Sequence, residues 1–285
     1  MELASLTVSG VLAASFLALG AIGLTLTFGI ARFANIAHTD YMTLGAYGVF
    51  LFNGPLHLPL WVSVILGLGA AIILGVASAS LAFDRLRVKS PVALLIISIG
   101  VSLVLRHLIQ FFFGGAFRQF DLPLERPFVW GPVRLTASQI VTLAVAVALM
   151  LAVHLLLTRT RLGRILRAMA DNPSLCEITG ADVERFRLAL WAIVLTLASV
   201  AGVLFGLNYV IQPNMGWNFL IPIFSATILG GIGNPYGAML GALVIGVGQE
   251  WSTLFIPSVY KEVVAFAVLA ACLLLRPQGL WGTAR

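Results

Sequence analysis

From its first residue the chain is a succession of long apolar stretches cut by short polar or Gly/Pro breaks. The stretches cover about 5–30, 36–53, 59–82, 91–113, 137–157, 188–211, 219–234, 236–256 and 261–275. Each reads as a helix, because a segment in hydrocarbon must satisfy its backbone polar groups internally. Asp84, Arg85, Arg87 and Lys89 close the third stretch, and Pro91 opens the fourth. Polar loops fill 114–136 and 158–187. The pattern predicts an all-α fold: a polytopic transmembrane helical protein with about nine crossings, forming one membrane domain over 1–285. The segments 36–53 and 219–234 are short or broken.

Composition excludes a soluble globule. Of 285 residues, 60% are hydrophobic and 10% charged, against about 25% charged in soluble domains. The net charge of +6 would suit nucleic acid, but membrane proteins gather Lys and Arg on the cytoplasmic side. One side collects Arg32, Arg85, Arg87, Lys89, Arg159, Arg161, Arg164, Arg167, Arg185, Arg187, Arg276 and Arg285, which is 12 of the 17 basic residues. The other holds Arg118, Arg126, Arg134 and Lys261, and Arg106 lies within a helix. The asymmetry predicts an outside N-terminus and a cytoplasmic C-terminus. Cys176 and Cys272 fall on the predicted cytoplasmic side, which argues against a disulfide. The first apolar stretch lacks a basic flank and runs too long for a cleavable signal peptide.

Three segments carry more than hydropathy. In Gly29-Ile-Ala-Arg32-Phe-Ala-Asn35-Ile-Ala-His38-Thr-Asp40, three polar side chains enter an apolar stretch, with Asn35 and His38 on one helix face. Burying each without a partner costs several kcal/mol. Such groups either line a pathway or interface, or cap a helix end. In Leu229-Gly230-Gly231-Ile232-Gly233-Asn234-Pro235-Tyr236-Gly237, the glycines and proline predict a helix break or a close-packed hairpin facing the interior. Gly230, Gly231 and Gly233 are therefore candidate path residues beside Asn35, His38 and Asp40, with pure packing as the alternative. Broken segments in both halves point to a transport path, although no convincing residue-level repeat relates the halves. In the third segment, Leu162, Ile165, Leu166 and Met169 share one side of a short helix, and Arg161, Arg164 and Arg167 another. Asn172-Pro173 ends that helix, and a second short one over 174–179 stops at Gly180. This elbow is read as a docking surface for a soluble partner, or as a basic helix on anionic lipid.

No catalytic set appears. His38, His57, His107 and His154 are scattered, no His or Cys pair has metal-ligand spacing, and no phosphate-binding loop is present. The chain reads as a transport component and not an enzyme, and uphill pumping with ATP would need another chain. An ion-coupled secondary transporter using Asp40 and Glu250 is the competing reading; it leaves the basic elbow without a task.

Gly23-Leu-Thr-Leu-Thr-Phe-Gly29-Ile followed by Asn35-Ile-Ala-His38-Thr-Asp40 resembles the permeases of branched-chain amino acid ABC importers, in particular their LivH type. The arginine-rich elbow with Gly163-Arg164 and Arg167-Ala-Met-Ala-Asp171-Asn172 is similar to that family's cytoplasmic loop. So are the late glycine motif through Gly241, the Tyr260-Lys261-Glu262 start of the last helix, and the Arg276-Pro277-Gln-Gly279-Leu280 tail. Thr39 departs from the glycine common there. The resemblance implies a bacterial inner-membrane importer subunit that pairs with a LivM-like second permease. It implies two cytoplasmic ATPase subunits that bind the ATP and dock on Arg161, Gly163, Arg164, Arg167, Asp171 and Asn172, and an extracytoplasmic binding protein that delivers substrate. It implies no cofactor on this chain. The substrates it implies are branched-chain or other hydrophobic amino acids, with urea, short amides or aromatic acids as the alternative.

Overall fold

A computed structural model describes residues 2–84, 90–123, 126–130, 133–276 and 278–281. Arg85, Arg87, Lys89, Pro277 and Arg285, which entered the charge count and the tail motif, lie outside the described residues. The helices are α1 (Glu2–Ala31), α2 (His38–Asn53), α3 (Leu60–Ala79), α4 (Pro91–Phe113), α5 (Ala137–Arg159), α6 (Arg161–Asp171), α7 (Pro173–Ile178), α8 (Val183–Asn208), α9 (Met215–Gly230), α10 (Pro235–Ser252) and α11 (Lys261–Leu275). Among the described residues one antiparallel strand pair, β1 (Phe128–Trp130) with β2 (Val133–Leu135), closes the polar loop before α5. Six helices among the described residues are long and apolar enough to cross a membrane: α1, α3, α4, α5, α8 and α11.

Two neighbourhoods mark the ends of the bundle. The β-hairpin end holds the start of α1, the α2–α3 turn and the α10–α11 turn. The elbow end holds α6, α7 and the α9–α10 turn. α1 runs from the first to the second and is mostly buried, so it forms the axis of the domain. α3, α4, α5 and α11 are mostly exposed and form the periphery of the bundle. The core is aliphatic, with Leu17, Leu19, Ile22 and Leu24 of α1 packed with Leu190, Trp191, Val194 and Leu195 of α8 and Ile223 of α9.

Boundaries follow local chemistry. α8 begins at Val183, five residues before the apolar stretch predicts, because the Asp182 carboxylate caps it by accepting the Arg185 N–H at 3.2 Å. α9 spans Met215–Gly230 and not 219–234: Gly231 (φ 102) and Gly233 (φ 87) enter the left-handed region and end it. Asn234 then caps α10 by accepting from Tyr236 and Gly237 N–H groups. The glycine window is thus a close helix hairpin. A Cβ on Gly230 would collide with the Gly237 backbone, and one on Gly237 with Gly230.

The two short helices are each 16 residues, or about 24 Å, short of the roughly 30 Å hydrocarbon core. Each follows an irregular stretch, 32–37 before α2 and 209–214 before α9. The sequence α1, break, α2, α3, α4 is repeated in the opposite direction by α8, break, α9, α10, α11. α8 starts at the elbow end, where Trp191 Nε1 donates to Asp84 at 3.0 Å, and finishes beside Phe120 near the hairpin end. This is an inverted repeat in architecture.

Candidate translocation path and coupling elbow

The first break is a re-entry into the bundle. α1 ends at Ala31, Arg32 adopts φ 58, and the chain folds back along α1. A non-glycine residue in that region costs roughly 1–3 kcal/mol, so its surroundings must hold it there. His38 Nε2 then lies 2.8 Å from the Gly20 carbonyl, eleven residues and about 17 Å up the helix from Ala31. A carbonyl only accepts, so Nε2 carries the proton. Gly23 makes room for the ring: a Cβ there would sit 2.7 Å from His38 Cε1. Much of the non-helical stretch is covered by protein, as membrane depth requires: Phe33, Asn35 and Ala37 are buried. Ser98 Oγ of α4 accepts the Ile36 N–H at 3.1 Å, and Asn35 and Ala37 are fully buried.

Asp40, in the first turn of α2, is 1% exposed at its side chain and pairs with Arg106 of α4 at 3.3 Å. Ser102 Oγ also donates to it. The Arg106 guanidinium lies 4.8 Å from the Trp217 ring centroid at the start of α9. A carboxylate in the first turn of a helix opposes the positive end of its dipole. Gly216 N–H donates to Thr43 Oγ1 at 3.0 Å, so the N-terminal turns of α2 and α9 cross inside the bundle. The Asn35 carboxamide is fully buried, and neither its oxygen nor its nitrogen has a hydrogen-bond partner among the described residues.

Of the six candidate path residues, Asn35, His38 and Asp40 therefore lie together at the first break, buried from lipid. Gly230, Gly231 and Gly233 lie further toward the elbow end of α1, where Gly233 N–H donates to Thr25 Oγ1 at 2.8 Å and Gly29 faces Gly233. Sequence reasoning noted Arg106 only as a charge within a helix. The Ser102/Arg106 spacing of four, which sets both on one face of α4, was the available signal.

The elbow forms as the pattern predicts. Thr160 caps α6 and accepts from Gly163 N–H at 3.1 Å. Gly163, Leu166 and Met169 face the body, with Gly163 against the backbone of Leu156 and Leu157. Arg161, Arg164 and Arg167 are exposed. Asn172 ends α6 and caps α7, accepting from Leu175 N–H at 3.1 Å, and Gly180 takes φ 84 beyond α7. Arg32 Nη2 donates to the carbonyls of Ala170 (3.0 Å) and Asp171 (2.9 Å). The tail reaches the same region: Leu280 N–H donates to the Leu229 carbonyl at 2.8 Å. Arg32, Asp171, Gly233, Asn234, Tyr236 and Trp281 line a cavity of about 980 Å³ there.

Motifs far apart in sequence, 23–40, 161–172, 229–241 and 278–281, thus converge on the elbow-end half of α1. The family described as "Branched-chain amino acid transport system / permease component" matches residues 6–273. The chain is 32% identical to the high-affinity branched-chain amino acid transport system permease protein LivH of Salmonella typhimurium, covering 96% of this chain and 94% of that one. It is 32% identical, with the same coverage, to the corresponding permease BraD of Pseudomonas aeruginosa. Among solved structures, PsaBC from Streptococcus pneumoniae in complex with Fab shares the fold, with a TM-score of 0.53 at 14% identity over 97% of this chain and 92% of that one. With family match, helical architecture and converging motifs in agreement, the chain belongs to the branched-chain amino acid transport permease family and is a multi-pass inner-membrane permease subunit of an importer.

Proposed function

We propose that this permease passes branched-chain or similar hydrophobic amino acids into the cytoplasm, working as half of a pore with a LivM-like second permease. The observation that carries the substrate class is the likeness to LivH and BraD along 96% of the chain. ATP is bound and hydrolysed on two separate ATPase subunits, which dock on α6 and α7 through Arg161, Gly163, Arg164, Arg167, Asp171 and Asn172. Exposed arginines over a body-facing apolar stripe fit a helix seated in a partner's groove. An extracytoplasmic binding protein delivers substrate at the hairpin end. The basic asymmetry supports an outside position for that end and the N-terminus, and a cytoplasmic one for the C-terminus. Residues 1–285 act as one domain. Asn35, His38 and Asp40 lie beside the path, and Gly230, Gly231 and Gly233 shape its cytoplasmic side. The unpartnered Asn35 carboxamide supports this placement, since buried amides are otherwise hydrogen-bonded.

Reconstitution in proteoliposomes with the ATPases, second permease and binding protein tests the reading. Leucine uptake is expected only with ATP and all subunits. Uptake with no ATPase present would replace the importer with an ion-coupled transporter. A cysteine at Ala168 is expected to resist labelling from outside, and one at Gln119 to react; the reverse pattern inverts the topology.

A further inference from the structure

Arg32 ties the start of the re-entrant break to the elbow. It is the last residue before the chain folds back to Asn35 and His38, and its φ of 58 is unfavourable for any side chain. Its guanidinium spans the carbonyls of Ala170 and Asp171, 138 and 139 residues away in sequence. Those carbonyls belong to the last turn of α6, whose final four have no partner within the helix. A cation there also complements the negative end of the helix dipole. Both bonds leave one nitrogen, Nη2, whose two N–H groups are held in the plane of the guanidinium, whereas a lysine offers a point charge on a flexible stem.

The surroundings leave room for movement. Arg32, Ala170 and Asp171 line the 980 Å³ cavity, whose opposite wall is Gly233, Asn234 and Trp281. A few residues after Arg32, Ile36 is held by Ser98, and His38 by Gly20. The Arg32 side chain and the irregular backbone 32–37 thus form a direct route from the α6 C-terminus to the buried polar residues.

We infer that Arg32 is the transmission residue of this permease: it couples movement of the elbow to the segment 32–37, and so to Asn35, His38 and Asp40. The inference rests on the proposal that α6 and α7 receive the ATPases. Arg32 is a positioning residue and contacts no substrate.

The test uses the complete importer in proteoliposomes, with a reporter cysteine in place of Ala34 and Cys176 and Cys272 replaced by serine. Arg32→Gly removes the guanidinium and relieves the backbone strain, which favours folding. Arg32→Lys keeps the charge without the planar guanidinium. Three quantities are read: ATPase co-purification, leucine uptake, and labelling of position 34 with and without nucleotide. Both variants are expected to retain the ATPases and to lose uptake by at least tenfold. The nucleotide-dependent change in labelling seen in the parent is expected to vanish. Uptake within twofold of the parent, loss of ATPase co-purification, or a parent whose labelling ignores nucleotide would each overturn the inference. Arg164→Glu with Arg167→Glu tests the docking proposal separately: if that variant still binds ATPases and transports normally, the docking site lies elsewhere, whatever Arg32 does.

Discussion

The two halves of this permease share one architecture and hold it by different means. In α1–α4, the break is fixed by charge and hydrogen bonding: Asp40 with Arg106 and Ser102, His38 with Gly20, Ile36 with Ser98. In α8–α11, no ionised side chain lies in the short helix. Gly216 crosses the first turn of α2, Gly230 and Gly237 pack backbone on backbone, and Pro222 sits within α9. The tethers also point in opposite directions. The 32–37 break is tied to the elbow by Arg32, whereas the 209–214 break is tied to the hairpin-end loop by the paired backbones of Ile211 and Arg118, at 2.7 and 2.9 Å. A fold repeated in inverted form can thus have one break answer to each face of the membrane. The chemistry at each break then specialises.

The largest effect should come from the charged half. Asp40→Ala leaves the largely buried Arg106 without its counter-charge, and is expected to cost about 3 kcal/mol, measured as thermal stability of the purified complex. Adding Arg106→Met should recover most of that loss, because an apolar replacement of a buried pair is often neutral. A loss under about 1 kcal/mol for Asp40→Ala would show that charge does not hold the first break.

The glycine half should fail sterically. Gly230→Ala is expected to cost about 1–3 kcal/mol through forced separation of α9 and α10, and no second substitution of charge should restore it. Thr25→Val probes the seam between halves, where Gly233 N–H loses its acceptor. About 1 kcal/mol is expected, with greater amide exchange at Gly233 by mass spectrometry. The smallest global effect belongs to Asn172→Ala. Loss of its cap should cost about 1 kcal/mol of local stability, seen as faster exchange at Leu175 and its neighbours while the bundle is unchanged.

Much of this architecture was legible in the chain. Apolar runs placed the long helices because lipid demands them, and the elbow was readable from Leu162, Leu166 and Met169 against Arg161, Arg164 and Arg167. Asn35, His38 and Asp40 flagged the break through their transfer cost. What was not legible depends on partners distant in sequence. The fold-back of 32–37 needs Ser98 and Gly20, and the pairing of Asp40 with Arg106 joins positions 66 apart. The inverted repeat was hidden because equivalent places hold unlike residues: the third residue of α2 is Asp40 and the third of α9 is Trp217. Backbone geometry repeats there, and side-chain chemistry does not.

The shortness of α2 also bears on how the chain is built into the bilayer during synthesis. α1 and α3 can each partition into lipid as they leave the insertion machinery. α2 offers 16 residues that include His38 and Asp40 in its first turn, and an ionised aspartate disfavours insertion of a helix into hydrocarbon. The groups that partner that aspartate, the Arg106 cation and the Ser102 hydroxyl, are translated some sixty residues later. The second helix of this protein must therefore wait for the fourth, and its settling in the membrane is an act of tertiary folding.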